Sequence, residues 1–283
     1  MSAFSDQDFD SKGYARFRPS YDDSLYEFIV HYHEGGDELA VDIGCGSGQA
    51  SYPLTRYFKR VIGTDLSGTM VATATSRAEE EPSLRGRISF QQSPAEELTF
   101  LENNSVDLIT VAQCVHWFQL DKFFDEVYRV LKPNGTIAIW GYADPVFNDP
   151  VADRLSMEFT YEDPTKLGPY WEQSGRNILR GLLDDVKVPA DKFKDVETFK
   201  RTPGDALNNS TSSPLSIKRE MPLTFYGNYV KTWSSYHNWK RSHKDQADIA
   251  DLYLSELQSK MKWTPATTVK LEWLTVLKLA RKI

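Results

Sequence analysis

Short apolar runs punctuate the first half of the chain, and helical stripes of apolar positions lie between them. The runs at 39–43, 60–65, 87–91, 106–111 and 135–140 are mostly apolar and too short for helices, so they predict buried strands. Helices are expected over 49–57, from a Ser67 cap to about residue 80, and over 121–131. Ahead of the first strand, Leu25, Phe28, Ile29 and Tyr32 recur at helical spacing, and Gly35 and Gly36 stop that helix. Pro19 bars a helix at the end of the opening segment, which is polar and aromatic. Strand–helix alternation of this kind predicts a parallel sheet covered on both faces.

Beyond Trp140 the regularity fails. Residues 144–150 and 168–176 read as loops, the second rich in aromatics, and helical and strand signals return over 176–185 and 196–201. The polar stretch 208–214 reads as a surface loop. A strand is expected over 217–224, helices over 225–241 and 245–260, and a closing strand over 268–282.

Length and charge bound the function. A chain of 283 residues suits one well-buried core carrying insertions better than two independent domains. The net charge of −7 argues against attraction to nucleic acid or anionic lipid. The basic cluster at 240–244 sits among acidic residues and reads as a solvated face. Two cysteines, Cys45 and Cys114, cannot build a disulfide scaffold, and no Cys/His spacing suggests a metal site. With no signal-peptide pattern and no apolar run near the ~20 residues that span a bilayer, a cytoplasmic protein is expected.

The chemistry gathers where the first strand meets Gly44, Gly46 and Gly48. Glycines there let the backbone turn sharply and approach a ligand beside a helix N-terminus. A nicotinamide dinucleotide fingerprint would place glycine where this chain has Gln49. Asp42, just before the turn, suits a ligand bearing an ammonium and a sulfonium and would repel a pyrophosphate. Asp65 ends the second strand, where a carboxylate can accept both ribose hydroxyls of either cofactor. Together these features favour S-adenosylmethionine. The plainer alternative makes Asp42 a turn residue and Asp65 a helix cap, but Ser67 already supplies that cap.

The segments VDIGCGSG, GTDLSGTM, SPAEEL, VAQCVHWF and VLKPNGTIAIW, in this order, resemble the class I methyltransferases. That resemblance implies an α/β, Rossmann-like sheet of seven strands, order 3-2-1-4-5-7-6, mostly parallel, with the last strand antiparallel and helices on both faces. It implies a single domain over 1–283, with a lid at 1–23, a cofactor core at 36–142, an inserted substrate cap at 143–262 and a closing strand at 266–283. It further implies that Gly44, Cys45, Gly46 and Gly48 form the floor and that Asp42 faces the methionine end. Asp65, with Leu66 beside it, holds the ribose. Met70, Ala95 and Glu96 frame the adenine. Many relatives carry Asp just before that alanine; this chain has Pro94, so Ser93 or Gln113 is expected to replace its hydrogen bond.

The segments around His116–Trp117–Phe118, 139–145, 168–176 and 232–239 are similar to the fungal trans-aconitate methyltransferases, from Asp8 to the C-terminus. The implied activity is esterification of one carboxylate of a small polyacid. A carboxylate of pKa near ~4 is already ionised, so no acid–base residue is expected and catalysis rests on positioning. An anionic acceptor calls for arginine: Arg16 and Arg18 on the lid, or Arg176 and Arg180 after the aromatic loop. Tyr14, Arg18, His116, Trp117, Trp171, Arg176, Trp233 and His237 form the expected acceptor set, although aromatics at helical spacing are more often core. Two other readings stay open here: methyl transfer to a lipid or hydroxyl acceptor, and S-adenosylmethionine binding without turnover.

Overall fold

The computed structural model describes residues 10–203 and 213–283, so most of the stretch expected to loop at 208–214, and the first nine residues of the expected lid, lie outside it. The chain runs α1 (Ser11–Phe17), α2 (Asp23–Tyr32), β1 (Leu39–Ile43), α3 (Ser51–Leu54), β2 (Arg60–Asp65), α4 (Gly68–Glu80), β3 (Ile88–Gln92), β4 (Val106–Ala112) and α5 (Leu120–Val130). It continues through β5 (Leu131–Phe147), α6 (Pro150–Met157), α7 (Gly175–Arg180), β6 (Phe193–Arg201), β7 (Lys218–Pro222), α8 (Leu223–Val230), α9 (Ser234–Ser242), α10 (Ile249–Met261) and β8 (Thr268–Lys282).

The strands pair in the order β3-β2-β1-β4-β5-β8-β6, with β1 to β5 parallel and β8 antiparallel to β5. This is the expected Rossmann-like order, with one short strand added. β6 pairs with β8 over Thr275–Lys282 and β7 pairs with it over Thr268–Glu272, so two strands share one edge of β8. All five β1 side chains are buried, because β1 lies between β2 and β4 with helices on both faces. One face packs Val41, Ile109 and Ile137 under Phe123, Phe124 and Val127 of α5. The other packs Leu108, Ala138 and Trp140 under α2 and the helices from the second half of the chain.

Several boundaries differ from the expectation. The helix over 49–57 shrinks to one turn, Ser51–Leu54, with Pro53 inside it. Residues 144–150 are not a loop. β5 continues through Pro145 to Phe147 against β8, and α6 starts at Pro150, capped by Asp149, whose side chain accepts from the Val151 and Ala152 amides. The helix over 225–241 is two, α8 and α9, parted at 231–233. That break delivers Thr232 and Trp233 to the site. Tyr229 of α8, edge-on to Trp273 of β8, joins this region to the long β5–β8 ribbon, and a stacked Phe159–Tyr253 pair, centroids 4.0 Å apart, joins the turn after α6 to α10. No described helix is long and apolar enough to cross a membrane.

Candidate active site

The C-terminal ends of β1, β2, β4 and β5 open into one cavity of about 330 Å³, within the range of small-molecule sites. Its floor is the glycine turn. Gly44 has φ 69°, and a Cβ there would collide with Cys114 Sγ. At Gly46, φ 54°, a Cβ would meet nothing within 4 Å, since this residue borders the open cavity. A ligand can therefore approach its backbone closely.

Asp65 lines the cavity at the end of β2. Its Oδ2 accepts from the Gly46 amide and its Oδ1 from the Ser67 amide, both at 2.8 Å. The carboxylate, expected to be free for a ligand because Ser67 supplies the helix cap, also fastens the turn. Each oxygen keeps acceptor capacity for a hydroxyl. Burial raises its pKa, and the two amides oppose that rise. Leu66, 59% exposed, Met70, Ala95 and Glu96 also line this end, as the sequence led us to expect.

Asp42 corrects the expectation. It is fully buried beneath the turn and does not line the cavity. Ser51 Oγ donates to its Oδ2 at 2.5 Å and Thr110 Oγ1 to its Oδ1 at 2.7 Å, so it ties β1 to α3 and β4. Burial pushes its pKa up from 3.8 to about 6, against those hydroxyl bonds. A carboxyl raised on folding stabilises the fold below its unfolded pKa and loses that contribution as pH rises through the folded one. Between pH 4 and 6 the cofactor-free protein should thus lose on the order of 3 kcal/mol that an Asp42→Asn variant keeps. Urea unfolding of both proteins from pH 4 to 7 checks this, and parallel profiles would refute it.

Two more cofactor assignments, Cys45 and Gly48, shift. Cys45 is buried outside the cavity wall, and Cys114 lines it instead. Burial holds both thiols well above their usual pKa, and both are free. Gly48 packs against Tyr52 and Phe90 and does not reach the cavity. Gln113 lines the cavity with its amide held in place: Oε1 accepts from the Tyr142 amide and Nε2 donates to the Tyr142 carbonyl, each at 2.7 Å. Ser93 donates to the Glu97 carbonyl at 2.9 Å. Ser93 and Gln113 both line the cavity, and Ser93 Oγ and Gln113 Oε1 each keep a lone pair that can accept from the adenine amine beside Pro94.

The opposite end of the cavity is aromatic and basic. Tyr14 and Arg18 come from α1 and its C-cap, and Trp171 and Trp233 from the second half of the chain. Arg18 Nε donates to Thr232 Oγ1 and another of its nitrogens to the Thr232 carbonyl, both at 2.9 Å. Burial alone would depress its guanidinium, but the phenols of Tyr142, Tyr14 and Tyr229 hold it above the ordinary arginine value. Among the described residues no carboxylate pairs with it.

Arg176 lies 4.0 Å over Trp171, bonded to Tyr161 and paired with Asp144. Arg180 Nε shares the same carboxylate at 3.3 Å, so Arg180 is not simply solvent-facing. His116 lines the cavity, 9% exposed, with Nδ1 bonded to nothing. Burial, and secondarily Arg176, lowers its pKa to about 3, so the ring is neutral. Trp117 lines the wall and packs against Gly175.

His237 does not reach the cavity, because it sits a turn beyond Trp233 on α9. Arg16 also misses it and faces the far side of α1. Tyr142 and Tyr229 were missed as wall residues, and Thr232, Asp144 and Tyr161 as the groups that hold the arginines. Only the aromatic richness of their segments hinted at them.

A sheet of this order, with a glycine turn after β1 and a carboxylate ending β2, defines the Rossmann-like methyltransferase architecture. The model of a methyltransferase domain matches residues 41–139, and a full-length relative agrees, so the chain belongs to the class I S-adenosylmethionine-dependent methyltransferases. That relative is the probable S-adenosylmethionine-dependent methyltransferase CRG1 of Saccharomyces cerevisiae, 32% identical over 99% of this chain and 98% of its own. The methyltransferase pgmE of Aspergillus terreus is 31% identical, covering 68% of this chain and 62% of its own. A solved protein from Anaeromyxobacter dehalogenans, provisionally assigned as a type II methyltransferase, superposes with a TM-score of 0.70 at 26% identity. It covers 94% of this chain and 98% of its own. The chain is an enzyme that methylates a small molecule, with S-adenosylmethionine as methyl donor.

Proposed function

We propose that the enzyme esterifies one carboxylate of a small polycarboxylic acid, with trans-aconitate as the type of acceptor. The observation that carries this reading is the charge at the acceptor end. Arg18 and Arg176 line that end, Arg180 stands behind them on Asp144, and among the described residues Glu172 is the one carboxylate lining it, so guanidinium groups meet the acceptor in an acidic protein. Planar guanidinium groups pair bidentately with carboxylates.

S-Adenosylmethionine, when bound, supplies an electrophilic methyl group on a sulfonium. The chain's residues do the rest by binding and orientation. Gly46 lets the donor approach the floor, and Asp65 holds its ribose hydroxyls. Arg18, fixed by Thr232, takes the carboxylate of its methionine end. Arg176 holds an acceptor carboxylate while Trp117, Trp171 and Trp233 exclude water. Orientation of this kind is worth up to roughly 7–11 kcal/mol of barrier. The acceptor needs no base, and His116, the obvious candidate for one, is held to about 3. It serves as a neutral hydrogen-bond partner.

Incubation with labelled S-adenosylmethionine and a panel of di- and tricarboxylates, hydroxyl compounds and lipids tests the proposal. Methyl ester is expected from the polyacids, with acceptor KM raised by about a hundredfold in Arg176→Gln and adenosylhomocysteine affinity kept. Failure of every acid to form ester would overturn it.

A further inference from the structure

A second cleft, about 590 Å³, lies on the far side of α1 from the cavity. Residues of α1 and the segment after it, of α3, of the last turn of α4 and of the approach to β3 enclose it. Five arginines line it, Arg16, Arg18, Arg56, Arg77 and Arg87, and among the described residues no acidic side chain does. The whole chain carries 40 Asp and Glu against 33 Lys and Arg, so this cleft reverses the sign of the protein around it.

Some of these cations are occupied. Arg56 pairs with Asp23 at 2.6 Å, and Arg87 donates to the carbonyls of Thr55 and Phe58. Arg77 lies 4.6 Å over the Tyr52 ring and Arg16 lies 5.2 Å over Phe17. Among the described residues neither meets a carboxylate. Like charges gathered without partners repel one another, and a low-dielectric cleft concentrates their field on an incoming anion. Guanidinium forks suit the oxygens of carboxylates and phosphates.

Arg16 and Arg77 stand on different elements, Arg16 on α1 and Arg77 on α4. An anion between them would join the helix that covers the cavity to the sheet's own layer. Two contacts already run that way: Ser11 Oγ to Thr73 Oγ1 at 3.0 Å, and Gln49 Nε2 to the Ala15 carbonyl at 2.9 Å. Arg18 lines both the cleft and the cavity. We propose that this cleft is a second site, for a small multivalent oxyanion of polycarboxylate or phosphate type, whose occupancy clamps α1 to the core and tightens donor binding. The coupling is reciprocal, so the bound donor also strengthens the anion's hold.

Calorimetric titration of the full chain, saturated with S-adenosylhomocysteine and held at constant ionic strength, tests this with inorganic phosphate and citrate in separate arms. The anion that binds identifies the source. Saturable binding is expected, weakened by about tenfold or more in Arg16→Gln/Arg77→Gln and unchanged in Arg176→Gln. Both replaced arginines are exposed, so the variant should fold. The binding anion should also lower the Kd of S-adenosylhomocysteine in the unmodified chain and not in the double variant. No saturable binding of either anion, equal binding by the double variant, or loss through Arg176→Gln would overturn the site. An adenosylhomocysteine Kd indifferent to the anion would overturn the clamp.

Discussion

Replacing Asp65 by alanine should weaken S-adenosylhomocysteine binding by about a hundredfold or more while the sheet stays folded. Two hydrogen bonds from ribose hydroxyls to an ionised acceptor contribute roughly 1.5–3 kcal/mol each, and their joint loss spans two or more decades of Kd. The same change frees the Gly46 and Ser67 amides, so the floor of the cavity loosens as its ribose partner disappears. Asp65 stands at the end of β2, beyond the apolar packing of the sheet, and its removal opens no hole in either core layer. Calorimetry measures the affinity and thermal unfolding reports the fold. A folded variant with unaltered Kd would remove the ribose assignment.

Asp144→Ala should be the most destabilising change at the acceptor end, at roughly 3–5 kcal/mol. Asp144 and Arg176 have side chains only 14% and 12% exposed, and Arg180 leans on the same carboxylate. Taking away Asp144 leaves the buried Arg176 guanidinium without the carboxylate it pairs with. Urea unfolding measures the loss. The proposed acceptor class adds a second readout: a dicarboxylate can replace the missing group, so it should raise the midpoint of Asp144→Ala by more than that of the unmodified enzyme. A variant within about 1 kcal/mol of the parent would show that the pair is not buried in the sense that matters.

The sheet was legible because its strands are nearly continuous apolar runs and its first helices carry plain stripes and caps. Ser67, read as a cap, accepts from the Met70 amide, and residues 268–282 form the expected closing strand. The second half was less legible, because there the hydrophobic signal belongs to aromatics that pack between elements, with no fixed period. Pro145 and the charges around it disguised the continuation of β5. A helical pattern running through 225–241 concealed the break after Val230, where the Thr232 and Trp233 amides turn back onto Tyr229 and Val230.

At the site, position along the chain foretold which residues cluster but not which way they face. Asp65, Leu66, Met70, Ala95 and Glu96 line the cavity because strand ends and the turns after them must point there. Asp42 precedes the glycine turn by two residues, and strand alternation carries its side chain inward to Ser51 and Thr110. Gln113 was expected as an adenine partner. Its φ of 64° also sets the amide against the Tyr142 backbone, a contact 29 residues away in sequence. Pairings such as Arg18 with Thr232 span more than two hundred residues and leave no local trace.

The long strand β8 binds β5 on one edge and both β6 and β7 on the other. It also follows all three of those strands in the chain, and so is made after them. Until 268–282 have emerged, β6 and β7 have no neighbour to pair with, and the ribbon that carries α8 and α10 lacks its second half. A nascent chain can assemble the donor-binding half early, but the acceptor end must await β8. Stop codons that cut the chain ahead of Thr268 should therefore yield products that hold adenosylhomocysteine weakly, expose aromatic surface and aggregate.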